Sequence, residues 1–224
     1  MRTKLDVPAG EIPLAFDGPK SAAATIVIAH GAGAGMDHAF MEHMTAGLTR
    51  SGHQVVRFNF RYVEVGRKAP DRQPVLEETY RAVAEHVRPK AKGSLVLGGK
   101  SMGGRIASQI VAGGTDADGL VFFGYPLHPP GRPDRIRDAH LKNITCPMLF
   151  IEGTRDPFCP LGTLQRVLKK VSSPTEVHVI DDGDHSFKVR KLSGRTTEEA
   201  WDEVVQVSSR FLSEVGAAGR RRNI

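Results

Sequence analysis

Six short apolar runs recur along this chain, and they restrict its fold more than any other feature. They are "ATIVIAH" (24–30), "QVVRFNF" (54–60), "SLVLGG" (94–99), "GLVFFGY" (119–125), "PMLFIEG" (147–153) and "TEVHVID" (175–181). Helical patterns fall between most of them, at 37–50, 75–88, 102–112 and 161–171, and a long one closes the chain at 197–215. Asp37 is the candidate N-cap of the first. A strand that faces water on one side alternates apolar and polar residues. Runs that are apolar throughout are buried on both faces, and buried strands that alternate with helices form a parallel sheet in an α/β fold. The proline-punctuated "KLDVPAGEIPLAF" reads instead as an antiparallel edge strand.

The 224 residues suit one domain, read as 1–215 with a basic tail at 216–224. A hydrophobic fraction of 40% beside 25% charged residues is that of a water-soluble globule. No run reaches the roughly 18 apolar residues of a membrane span, and "MRTKLDVPAG" lacks the apolar core of a signal peptide. The two cysteines, Cys146 and Cys159, show no metal-ligand or CxxC spacing. Free thiols in a reducing, cytoplasmic compartment are expected. The net charge of +6 invites a nucleic-acid reading, but the basic residues are scattered and the one dense cluster, "GRRRN", lies at the terminus. Neither nucleic acid nor membrane is expected as a partner. Nothing in the sequence fixes an oligomeric state.

In a parallel sheet, ligands bind beyond the carboxyl ends of the strands. After "SLVLGG" the chain reads Gly99-Lys100-Ser101-Met102-Gly103, a G-x-S-x-G turn between a strand and a helix. So tight a turn strains the central residue, and side chains two positions to either side would collide; the glycines remove them. The serine hydroxyl then stands at a helix N-terminus, where free N–H groups favour developing negative charge. The P-loop spacing is absent. After "ATIVIAH", His30-Gly31-Ala32-Gly33 resembles the turn that supplies a second oxyanion donor, through the N–H of Ala32 beside that of Met102. A dinucleotide loop is disfavoured there, because position 36 is Met and no acidic residue closes the next strand. His30 is read as holding the turn. After "PMLFIEG", Pro157 keeps Asp156 in a loop, where its carboxylate can accept from a histidine. After "TEVHVID" comes His185, which gives the order Ser, Asp, His that a nucleophile elbow requires.

With these residues in place the sequence resembles the α/β-hydrolase superfamily, in its dienelactone-hydrolase-like branch. More narrowly, "GKSMGGRIAS" and "GYPLHPPG" are similar to predicted bacterial hydrolases related to testis-expressed protein thirty and to the hydrolase-like subunit of the NSL complex. The likeness runs from about residue 24 to 187. It implies an α/β-hydrolase fold, a mostly parallel doubly wound sheet with helices on both faces, and a triad of Ser101, Asp156 and His185. Dienelactone hydrolases typically carry a cysteine nucleophile, where this chain has serine.

The expected chemistry is acyl transfer to Ser101 on a small ester or thioester, with no metal and no cofactor. A non-catalytic adaptor that retains the hydrolase fold is the competing class. His128, within "GYPLHPPG", is a candidate substrate-binding residue or a structural turn. Lys100 either attracts an anionic substrate or packs. Only 21 residues separate the strand ending near Tyr125 from the one beginning near Pro147. That is room for a loop and a short helix, "RIRDAHL", but not for a cap domain, so an open cleft is expected.

Overall fold

The computed structural model describes residues 1–222, without the side chains of 220–222. Eight strands form one sheet: β1 (Arg2–Val7), β2 (Gly10–Asp17), β3 (Ala24–Ala29), β4 (Gln54–Phe58), β5 (Ser94–Lys100), β6 (Gly119–Phe123), β7 (Met148–Gly153) and β8 (Thr175–Ile180). Their spatial order is β1-β2-β4-β3-β5-β6-β7-β8. β1 and β2 join antiparallel, and every pairing from β4 to β8 is parallel. The helices are α1 (Ala39–Arg50), α2 (Arg61–Glu64), α3 (Gln73–Val87), α4 (Met102–Ala112), α5 (Leu161–Leu168) and α6 (Thr197–Arg222).

The side-chain period of two divides the core into two layers. Val27, Leu97, Phe122 and Phe150 face Tyr80 of α3, Ile106 of α4 and Leu164 of α5. Their neighbours Ile26, Val96, Val121 and Leu149 face Met44 of α1 and Leu212 of α6. Both faces of the central strands are therefore dry, which is why these runs lack polar alternation.

Four local expectations are corrected. The N-terminal stretch lies antiparallel at the sheet edge as expected, but as a hairpin of two strands rather than one, turned at Pro8–Ala9 with Gly10 at φ 114°. Helix α1 starts after His38, whose ring accepts from the Phe40 N–H at 3.3 Å, while Asp37 pairs with Arg2 and Arg57. "RIRDAHL" is not a helix; only its last residue enters one, the 3₁₀ turn at Leu141–Asn143. α6 continues through the supposed tail to Arg222, because its last turns pack on the sheet. There the Ser94 hydroxyl donates to the Val215 carbonyl at 3.1 Å, and Gly216 and Gly219 admit Ala23 and Ser94 at close range. Within "GRRRN", the side chains of 220–222 and the whole of residue 223 lie outside the described residues. No helix among the described residues is long and apolar enough to cross a membrane.

Candidate active site

The ends of β3, β5, β7 and β8 converge on one edge of the sheet, and each delivers one part of the site. Ser101 joins β5 to α4 with φ 50° and ψ −114°, a conformation that costs a non-glycine residue about 1–3 kcal/mol. Two backbone hydrogen bonds hold it: the Ser101 N–H donates to the Phe123 carbonyl at 3.0 Å, and the Arg105 N–H to the Ser101 carbonyl at 3.1 Å. At about 1 kcal/mol each they offset much of the strain. The flanking glycines allow close approach to β3. A Cβ on Gly99 or on Gly103 would lie 2.3 Å from the Ala29 carbonyl oxygen.

Asp156 and His185 meet because β7 and β8 crowd at their ends. The Arg155 N–H donates to the Gly183 carbonyl at 2.9 Å, and Gly153 lies so close to that carbonyl that a Cβ would sit 2.2 Å from it. The two loops are thereby fixed edge to edge. Asp156 is buried; its Oδ1 accepts from the Phe158 N–H at 2.8 Å and its Oδ2 from His185 Nδ1 at 2.6 Å. His185 Nε2 lies 2.8 Å from Ser101 Oγ. With Nδ1–H committed to the carboxylate, Nε2 is left as the acceptor for the serine hydroxyl. The three residues that the sequence placed on separate strand ends thus stand in one continuous hydrogen-bonded chain.

The histidine loop is held from several sides. Asp184 Oδ1 accepts from the N–H groups of Ser186 and Lys188, and the Trp201 indole donates to the Ser186 carbonyl at 3.0 Å. The half-buried Lys100 donates its ammonium to the His185 carbonyl at 2.5 Å. Burial lowers its pKa to about 8, against the opposing pull of Asp156, Glu152 and Asp184. Lys100 therefore packs beneath the histidine. The Phe158 ring meets the imidazole edge-on, centroids 4.7 Å apart.

His30 holds its turn as expected. Its Nδ1–H donates to the Gly31 carbonyl at 2.8 Å, and its Nε2 accepts from the Phe60 N–H at 3.2 Å. Burial lowers its pKa to about 4, so the ring is neutral and structural. Ala32 and Met102 line the same pocket as Ser101 and His185. Met102 is the first residue of α4, so its N–H has no intrahelical acceptor. His128 is buried on the pocket wall, with Nδ1 2.9 Å from the Pro129 carbonyl and Nε2 without a protein partner.

Sequence reasoning passed over Glu152, a fully buried carboxyl at the end of β7. Its Oε1 accepts from the Tyr125 N–H at 2.7 Å, and burial raises its pKa well above the usual carboxylate range. The available signal was a lone acid inside "MLFIEG". The pocket has a volume of about 650 Å³ and opens to solvent without a cap domain. The chain between β6 and β7 forms one wall through Pro126, His128, Pro130 and Arg137, and Trp201 of α6 lines another side.

Residues 22–213 match the family model of the alpha/beta hydrolase domain. Among solved structures, the chain is similar to an alpha-beta serine hydrolase homologue from Coxiella burnetii, at 21% identity and a TM-score of 0.74, over 95% of this chain and 97% of that one. It is similar to a lidless serine hydrolase from Xanthomonas campestris, at 22% identity and a TM-score of 0.72, over 95% and 94%. A dienelactone hydrolase from Anabaena variabilis aligns at 16% identity and a TM-score of 0.75, over 96% of both chains. At these identities the shared property is the fold.

Proposed function

The chain belongs to the alpha/beta hydrolase family, and from that premise we propose that it is a serine hydrolase of small esters or thioesters, acting through Ser101, His185 and Asp156. The observation that carries this reading is the relay from Asp156 Oδ2 through the imidazole to Ser101 Oγ, with spacings of 2.6 and 2.8 Å. Ser101 Oγ attacks the acyl carbonyl while its proton passes to His185 Nε2. The Asp156 carboxylate stabilises the imidazolium and fixes its orientation. The N–H groups of Met102 and Ala32 receive the oxyanion. Collapse expels the alcohol or thiol, which takes the proton from His185. A water molecule then loses a proton to the same nitrogen, attacks the acyl-serine and releases the acid. An adaptor role would not require a strained serine held against a histidine whose other nitrogen is committed to a buried carboxylate.

The substrate is a small acyl compound, with His128 on the pocket wall as one of its contacts. Because the pocket has no cap, a long acyl chain would extend into solvent, and the roughly 0.8 kcal/mol per buried methylene would soon stop accruing. Hydrolysis of p-nitrophenyl esters from acetate to laurate tests both points. We expect kcat/KM to level off after a few carbons, and turnover to fall about 10⁴–10⁶-fold in Ser101→Ala. A steep rise toward laurate would reveal a tunnel. Undiminished turnover in Ser101→Ala would remove the assignment.

A further inference from the structure

Among the cationic side chains that line the pocket, Arg105 is the most deeply buried arginine and takes no part in the proton relay. Arg105 lies one helical turn beyond Ser101 on α4, is only 8% exposed, and lines the same pocket. Its Nη1 donates to two neutral amides, Gln109 at 3.0 Å and Gln73 at 3.4 Å. Its Nε is buried without a partner, and no described residue accepts from its Nη2. The Nε–Nη2 side of the guanidinium therefore has no hydrogen-bond acceptor among the described residues, and its charge is left without a carboxylate partner.

The guanidinium hydrogen bonds of Arg105 go to amides alone, and the Glu77 charge acts on it only through space. The Glu77 carboxylate takes the Gln73 side-chain N–H at 2.7 Å. Of the acids on or beside the pocket, Asp71 pairs with Arg67 and with the Tyr62 N–H, and Asp156 is engaged by His185. The facing wall brings a second cation instead. Arg137 is exposed, lines the pocket, and has no ion-pair partner among the described residues. Burial, and then the charge of Arg137, lowers the pKa of Arg105. A buried guanidinium with unpartnered N–H groups, set near a second guanidinium, is costly without an anion in the pocket. A planar anion seated between them removes both costs.

We propose that Arg105 and Arg137 form a carboxylate-binding subsite beside Ser101, and that the ester or thioester cleaved there carries a second, free carboxylate, as a monoester of a short dicarboxylic acid does. The substrate class rests on the serine hydrolase reading above; the binding subsite rests on the guanidinium geometry.

The test compares p-nitrophenyl hydrogen succinate with p-nitrophenyl valerate, an uncharged ester of similar length. We expect the charged ester to be favoured at least 10-fold in kcat/KM, with the preference shrinking as salt is added. Arg137→Ala should bring the ratio of charged to neutral ester toward one, and Arg137→Glu should invert it. Both changes are at an exposed side chain, so they stay informative if Arg105→Gln fails to fold. Arg50→Ala, on the exposed end of α1, carries the same loss of charge and should leave the ratio unaltered. Equal or better hydrolysis of valerate by the native protein overturns the subsite. If neither ester is cleaved, the hydrolase reading is lost and the subsite is read from calorimetric binding of monomethyl succinate. Binding that disappears in Arg137→Ala then upholds it, and absence of binding overturns it.

Discussion

Replacing Gly103 by alanine adds one methyl group where the structure has no room for it. The new Cβ would stand 2.3 Å from the Ala29 carbonyl oxygen, 2.6 Å from the Ala29 carbonyl carbon and 2.8 Å from the His30 carbonyl oxygen. All three are backbone atoms at the end of β3, so no rotamer change relieves the contact. Restoring a C···O separation of about 3.3 Å moves the start of α4 by about 1 Å. Overpacking of this kind costs about 1–3 kcal/mol, and the helix propensity of alanine over glycine returns up to about 1 kcal/mol. The net loss of about 1–2 kcal/mol corresponds to a Tm lower by about 2–8 °C for a chain of this size. The displaced helix carries Ser101 with it, and a misplacement of about 1 Å costs on the order of 10²-fold in turnover. Gly162→Ala is the matched control. There the nearest side-chain atom is Arg166 Nη1 at 3.9 Å, so the change should be neutral or stabilise by a few tenths of a kcal/mol. Calorimetry and ester hydrolysis read the two effects separately. Wild-type Tm and turnover in Gly103→Ala would refute the close packing of α4 on β3 from which the elbow is derived.

Glu152 gives a prediction in pH. Its folded pKa is raised above the unfolded value of 4.5, so the wild type loses stability as pH climbs above about 4.5, because only the unfolded chain then releases the proton. Glu152→Gln keeps an acceptor for Tyr125 and has no proton to release. In urea unfolding its advantage over the wild type should grow as pH rises above about 4.5. Destabilisation at pH 7 would mean an ionised Glu152 paired with Lys100. Asp156→Asn should leave circular dichroism unchanged and lower kcat about 10⁴-fold, since an amide neither fixes the working tautomer of His185 nor stabilises the imidazolium. A loss below 10-fold would detach Asp156 from the relay.

The strands and the candidate site stood out in the sequence for the same reason. Sheet strands buried on both faces leave continuous apolar runs, and a parallel sheet puts its chemistry just past their ends, where Ser101, Asp156 and His185 stand out as polar residues in glycine-bearing loops. What stayed hidden depends on contacts between distant segments. Gly216 and Gly219 read as the end of a helix, but docking against Ala23 and Ser94 carries α6 through them. Asp37 had the chemistry of a cap, but its carboxylate is drawn to Arg2 and Arg57 and His38 takes the role. Glu152 was one letter inside an apolar strand, and only the fold places it behind Asp156 and Lys100. Arg105 sat within a quoted motif, yet its unpaired charge depends on Gln73 from another helix and on Arg137 from the facing loop.

Labelling by a fluorophosphonate tests the central claim most directly, because it needs no knowledge of the substrate. The probe phosphonylates a serine only when a neighbouring base draws off its proton and the oxyanion site receives the phosphoryl oxygen. The native protein should take up one equivalent, located at Ser101 by peptide mass spectrometry, with labelling absent in Ser101→Ala and slowed at least 10³-fold in His185→Ala. A folded native protein that is not labelled, or a label that persists in Ser101→Ala, would contradict the account.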